Sequence, residues 1–238
     1  MKIDGNATRF TTDIQSNIYF IEDKSFVRIN PDSKCRREFD FKYHGNNLIY
    51  DVSNPNYFAL YFKDSRKVVL LDSNLNKVVR PFYIEEVGLY EISHVLASSD
   101  RSLWFYNFDK NYLVKLNQDF IPVVKTETLF DLSGKMVFPN FFSIFTNEIY
   151  INLPASGILV LDYTGRYKTF YNLTGLVDFQ VIGGSIYYYR DRLIHRFDRV
   201  RREKFEIEIP EVSKVINAHY HSDRIIIQTP GSILVFSR

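Results

Sequence analysis

The chain has 238 residues, 45% of them apolar and 16% aromatic, and its 30 Lys plus Arg against 28 Asp plus Glu leave a net charge of +2. That apolar content is enough for a sizeable core and excludes disorder, while so small a charge supplies little general attraction for nucleic acid or an anionic membrane. The lone Cys35 excludes an intramolecular disulfide and a cysteine-rich zinc site. The opening MKIDGNATRF lacks the apolar segment of a secretion signal, and no run of about 18 apolar residues follows.

In chain order, one phrase recurs. An apolar run, a polar break and a second apolar run appear as NIYFIEDKSFVRIN, YFALYFKDSRKVVLLD, SLWFYNFDKNYLVKLN, EIYINLPASGILVLD, SIYYYRDRLIHRFD and RIIIQTPGSILVFS. Each reads as strand, tight turn, strand. The second runs end at Asn30, Asp72, Asn117, Asp162, Asp198 and Ser237, about 41 residues apart on average and close to the ~40 to 45 of a propeller blade. Asn, Asp and Ser bond their own nearby backbone, and Asn and Asp tolerate the left-handed dihedrals that a hairpin tip needs.

The runs before each phrase, FTTD, LIYDVS, HVLASS, FFSIFT, DFQVI and NAHYHS, are expected to be first strands. Those after it, CRREFDF, KVVRPFY, PVVKTETLF, YKTFYNL and EKFEIEI, alternate apolar and polar residues like half-exposed fourth strands. The central runs are almost continuously apolar, so both of their faces must be covered. Four strands, six times, predict an all-β, six-bladed β-propeller of four-stranded antiparallel blades forming one domain over residues 1–238. The sixth phrase has no fourth strand after it, so MKIDGNA is expected to supply that strand and close the last blade. Trp104 is expected to pack between blades.

On these repeats the whole chain resembles β-propeller repeat proteins of the loosely patterned six-bladed kind. It is not of the WD kind: the Gly-His and Trp-Asp marks are absent, and Trp104 is followed by Phe105. The phrases TRFTTDIQSNIYFI, SSDRSLWFYN and LPASGILVLDYTGRYKTF are also similar to uncharacterised cell-envelope proteins of Bacteroidota-type bacteria. This resemblance implies an exported, periplasmic or envelope protein; a cytoplasmic one is the alternative.

No GxGxxG, P-loop, HExxH, GxSxG or EF-hand loop occurs, so the enzyme classes that carry those motifs gain no support. His219 and His221 lie two apart, on one face of a strand, but have no visible third metal ligand. Glu85 and Glu86 read as a solvated loop rather than a glycosidase pair. Residues 190–204 hold seven Arg or Lys against three acids; this reads as an exposed blade whose Arg stems cover aromatic rings.

The expected function is therefore a non-enzymatic binding or scaffold domain that presents loops to a protein, peptide or glycan partner. The longest connections, YIEEVGLYEI and FDLSGKMVFPN, with FKYHGNN on the same side, nominate Tyr43, His44, Glu86, Tyr90, Lys135, Phe138 and Asn140 as binding residues. No catalytic residue, metal or cofactor is assigned. A monomer without membrane insertion is expected, and nucleic acid is disfavoured as a partner. The alternatives are a propeller hydrolase or lyase using inner-strand residues such as Asp13, Asp51, His94, His219 and His221, or nucleic-acid binding through the basic segment.

Overall fold

A computed structural model describes residues 1–237. After a short strand, β1 (Lys2–Asp4), the strands come in sets of four. Blade one is β2 (Thr8–Thr12), β3 (Ile18–Glu22), β4 (Ser25–Ile29) and β5 (Arg36–Asp40); blade two is β6 (Leu48–Asp51), β7 (Tyr57–Phe62), β8 (Lys67–Asp72) and β9 (Phe82–Tyr83). Blade three is β10 (Ile92–Ala97), β11 (Leu103–Asn107), β12 (Tyr112–Leu116) and β13 (Pro122–Lys125). Blade four is β14 (Phe141–Phe145), β15 (Glu148–Leu153), β16 (Gly157–Leu161) and β17 (Tyr167–Tyr171). Blade five is β18 (Gln180–Ile182), β19 (Ser185–Arg190), β20 (Leu193–Asp198) and β21 (Lys204–Glu208); blade six is β22 (Asn217–His221), β23 (Arg224–Thr229) and β24 (Ser232–Ser237), with β1 as its fourth strand. Every pairing is antiparallel, and the fold is a six-bladed β-propeller whose last blade is closed by the N-terminal strand.

The chain divides into two compact units: Tyr43–Val177, with blades two, three and four, and Met1–Lys42 together with the chain from Asp178 on, with blades one, five and six. In the first unit, β11 shows why the central runs are apolar throughout. Successive side chains of a strand point to opposite faces. Phe105 packs with Ala59, Tyr61 and Leu70 of blade two, while Trp104 and Tyr106 pack with Phe142, Ile151 and Leu159 of blade four. Trp104 is 1% exposed, an inter-blade packing residue as its sequence context implied. Each such side chain contributes about 1.5 to 3 kcal/mol through burial. In the second unit β23 does the same. Ile226 faces Phe10, Phe20 and Val27 of blade one, and Ile225 and Ile227 face Tyr187 and Ile194 of blade five.

The third-to-fourth-strand turns share one device. The side chains of Asn30, Asp72, Asn117, Asp162 and Asp198 each accept two backbone N–H groups of their own turn, as when Asp162 Oδ1 takes those of Thr164 (2.8 Å) and Arg166 (3.0 Å). These residues are acceptors and are not themselves left-handed. The left-handed positions are Lys34, Leu75, Phe120, Gly165 and Arg202, three or four residues later. At Gly165 (φ +80°) a Cβ would meet Thr126 Cγ2 at 2.6 Å, so this turn requires glycine.

Two outer strands are shorter than their sequences imply. In KVVRPFY only Phe82–Tyr83 pairs with β8 as a strand, with one isolated bridge from Lys77 to Leu71. PVVKTETLF stops pairing at Lys125 and then enters a one-turn helix, α1 (Leu129–Ser133), whose N-cap Thr128 accepts from Asp131 N. A second single turn, of 3₁₀ type, spans Ile84–Val87.

Closure of the last blade rests on few residues. Lys2, Ile3 and Asp4 pair with Leu234, Ile233 and Ser232, and the Met1 amine and carbonyl bond Val235 O and N, each at 2.8 Å. Gly5 N reaches Gly231 O at 3.0 Å, and Gln228 Nε2 reaches Ala7 O at 2.8 Å. Deleting residues 2–7 should expose the edge of β24 and cost a few kcal/mol of the ~5 to 15 typical of a domain. Calorimetry and size-exclusion chromatography should show earlier melting and oligomers; an unchanged Tm and a monomeric peak would mean that β1 adds nothing to the fold.

Candidate functional site

In a four-stranded antiparallel blade, the turn between the second and third strands and the connections into and out of the blade lie at one end. The other two turns lie at the opposite end. Within Tyr43–Val177 the first end is tied together by short bonds: Ser65 Oγ to His44 O (2.5 Å), Ile84 N to Arg66 O (3.0 Å), Asn107 Nδ2 to Tyr90 O (2.8 Å) and Leu129 N to Asn111 O (2.7 Å). All seven residues nominated from sequence belong to connections at this end.

They are not equivalent. Tyr43 is 93% exposed, Phe138 77% and Tyr90 58%, and Lys135 is also exposed. The other three are engaged by neighbouring strands and connections. The half-buried His44 ring stacks on Phe62 with centroids 5.6 Å apart. Glu86 pairs with Arg80 at 3.1 Å. Asn140 accepts from Asn152 Nδ2 at 2.7 Å and donates to Val177 O at 3.1 Å, which makes it a brace for blade four. The neighbouring Glu85 pairs with Arg66 at 2.9 Å. The same end exposes four apolar residues that the sequence reading passed over: Phe108 at the tip of the β11–β12 turn, Phe130 in α1, Met136 and Val177. Phe130 and Met136 lie inside the long loop already singled out. Phe108 falls in the polar break of its phrase, which reads as a tight turn and not as a binding loop.

The inner-strand polar residues are committed to hydrogen bonds. In the second unit, Thr12 Oγ1 sits 2.8 Å from His219 Nδ1, 3.0 Å from His221 Nε2 and 3.0 Å from Gln180 Nε2. One hydroxyl proton serves one imidazole only, so the other imidazole donates to Thr12. Both rings are buried, and among the described residues His219 Nε2 has no hydrogen-bond partner, while no third His, Cys, Asp or Glu joins the pair as a metal-binding group. Asp13 accepts four bonds, from Gln15 N, Asn17 N, Asn17 Nδ2 and Tyr19 OH, all within 2.8 to 2.9 Å.

In the first unit the buried Asp51 takes Ser53 N and Oγ on one oxygen and Ala97 N (2.8 Å) on the other, joining blade two to blade three. Burial pushes its carboxyl up despite these bonds. His94 lies 3.0 Å from Ser93 Oγ through Nδ1, with its ring 4.7 Å from Phe142. In residues 190–204, Arg190 lies over Tyr188 and Arg196 over Phe205, each about 5.5 Å from the ring centroid, so these stems do cover aromatic rings.

No protein-family model and no curated sequence matches the chain. Solved structures do resemble it. Virginiamycin B lyase from Staphylococcus aureus aligns over 95% of this chain and 78% of its own, with a TM-score of 0.58 and 12% identity. A streptogramin B lyase aligns over 99% and 84%, with a TM-score of 0.59 and 15% identity. The extracellular domain of the hybrid two component system BT4673 from B. thetaiotaomicron aligns over 96% of this chain and 33% of its own, with a TM-score of 0.57 and 9% identity. At these identities the likeness is one of fold.

The histidine pair makes stability depend on pH. Burial lowers His219 to about 3, helped by His221, and burial lowers His221 to about 4. An unfolded histidine titrates near 6.5. Below that value the unfolded chain takes up protons that the folded chain refuses, so this contribution is fully present above pH ~6.5 and is lost as pH falls towards ~4. Asp178, pushed up to about 6 by burial against a hydrogen bond from Asn217, acts in the opposite sense. The histidine effect is therefore read as a difference. Between pH 6.5 and 4.5 the wild type should lose on the order of 1 kcal/mol per pH unit more than a His219→Gln, His221→Gln double variant in urea unfolding. Parallel pH profiles would show that the pair is not a buried neutral one.

Proposed function

We propose that the chain is a binding domain whose partner, a protein or peptide, docks on the loop end of blades two to four. One observation carries this reading. Tyr43, Tyr90, Phe108, Phe130, Met136, Phe138 and Val177 are all exposed at that end, in a chain that buries its central strands almost completely. Monomeric proteins rarely leave many large apolar side chains in water on one side without a use for them, and aromatic anchors dominate binding energy at protein interfaces. The loops themselves are held by bonds to neighbouring turns, which lowers the entropy lost on docking. Lys135, Glu86 and Arg80 supply charge beside the apolar anchors.

Two further points support a binding role. The inner-strand acids Asp13 and Asp51 that a hydrolase or lyase would need are already bonded to the frame, and His219 and His221 are each bonded to Thr12 through one ring nitrogen. An envelope location belongs to the same proposal, in keeping with the sequence resemblance and with a fold shared with an extracellular domain. Among the described residues, no helix is long and apolar enough to cross a membrane.

The test is cross-linking capture from the native host, with the wild type beside a Tyr43→Ser, Tyr90→Ser, Phe138→Ser variant. The three substitutions should leave the Tm nearly unchanged, as exposed changes do. A captured partner should bind the variant at least about 30-fold more weakly, the equivalent of losing one anchor of ~2 kcal/mol. Equal affinity for both chains would place binding elsewhere.

A further inference from the structure

The opposite end of the same unit carries a second feature. Where the turns of blades three and four approach each other, a cavity of about 180 Å³ opens. Its buried walls include Trp104, Lys115 and Ile149, and its exposed rim includes Ser99, Asp100, Asn147 and Tyr163.

Lys115 is the buried lysine of the described residues, at a strand position where blades one and five carry Arg28 and Arg196 and blades two, four and six carry Leu70, Val160 and Val235. Its ammonium lies 2.8 Å from Asp100 Oδ2 and 5.7 Å from the Trp104 ring centroid. Burial alone would raise the Asp100 carboxyl, but hydrogen bonds from Lys115 and Ser102 hold it low, so the cavity contains a full ion pair with no net charge. A charged ligand would have to compete with that pair. A neutral one would not.

The remaining polar groups are of mixed type. Asp100 accepts from Ser102 N, Ser102 Oγ and Lys115, which leaves one of its roughly four acceptor positions open. Asn147 Oδ1 accepts from Ser99 Oγ at 3.1 Å, which leaves the amide donors available. The Tyr163 side chain, 61% exposed, adds an aromatic surface and a hydroxyl at the mouth. Donors and acceptors placed together suit ligand hydroxyl groups, which both give and take a proton. The apolar walls suit the C–H face of a ring. The volume takes about one six-membered ring, since a cavity of about 150 Å³ holds benzene, so the outer substituents of a sugar stay at the open mouth.

We propose that this cavity binds a single neutral pyranose ring, such as the terminal residue of a glycan. The ring lies against Ile144 and Tyr163, and its hydroxyl groups bond Asp100, Lys115 and Asn147. The site is separate from the loop end, and neither reading depends on the other.

The chain has one tryptophan, so emission from Trp104 reports on the cavity directly. The probes are the methyl glycosides of glucose, mannose, galactose and N-acetylglucosamine, with acetate and lactate as small anionic controls. At least one glycoside should produce a saturable change in emission and in ligand-observed NMR. Asn147→Ala and Lys115→Met should each weaken it at least tenfold, with folding checked by circular dichroism, while the triple variant of the loop end should bind as the wild type does. The proposal is overturned if no glycoside gives a saturable signal up to ~50 mM, far above the ~1 mM of a weak complex. It is equally overturned if the anions bind in place of the glycosides, or if both cavity variants bind undiminished.

Discussion

Burial of the central strands on both faces is the constraint on which the rest of this structure depends. A sheet with one wet face can alternate polar and apolar residues, but β11, with Trp104 and Tyr106 facing one neighbouring blade and Phe105 the other, cannot. Two-sided burial drives polar side chains in the central strands to find partners inside the protein. This accounts for the cross-strand pairing of Tyr19 with Arg28, Trp104 with Lys115 and Tyr187 with Arg196, in which a basic stem lies opposite an aromatic ring. It also accounts for the small closed networks around Asp13, Asp51 and Thr12, which join strands or blades.

The same constraint moves function to the ends of the blades. A frame whose interior acids and hydroxyls are largely engaged in such networks has few groups left with which to bind or react, and its turns are the parts free to vary. One end of Tyr43–Val177 is rich in exposed aromatic and aliphatic side chains. The other holds a small cavity with an ion pair. These are two different surface chemistries, and the two proposed ligands match them: a protein or peptide surface for the apolar end, a neutral hydroxyl-rich ring for the cavity.

Much of the architecture was legible in the sequence because the repeat states it six times. The two-sided apolar runs, the Asn or Asp at each turn and the missing sixth outer strand all point to the observed fold, down to the pairing of Ile3 with Ile233. Where the reading fell short, the local signal was ambiguous. KVVRPFY alternates like a strand, but its pairing with β8 is broken between the Lys77 bridge to Leu71 and the pairs made by Phe82 and Tyr83, a gap that holds Pro81. The candidate site was half legible. Exposure of Tyr43, Tyr90 and Phe138 follows from long loops, whereas the brace formed by Asn140 and Asn152 depends on a contact that no short phrase reveals. The cavity was invisible for the same reason: Asp100, Lys115, Asn147 and Tyr163 belong to four different segments, each ordinary alone.

Native-state hydrogen exchange tests the central claim most directly, that the central strands are sealed on both faces and the loop end is an accessory to them. Amides of β7, β11, β12, β15 and β23 should exchange only through global unfolding, while those of residues 84–91 and 127–140 exchange through local opening at far lower free energy. Exchange in β11 or β23 as fast as in those connections would contradict the account, because strands covered on both faces cannot open alone.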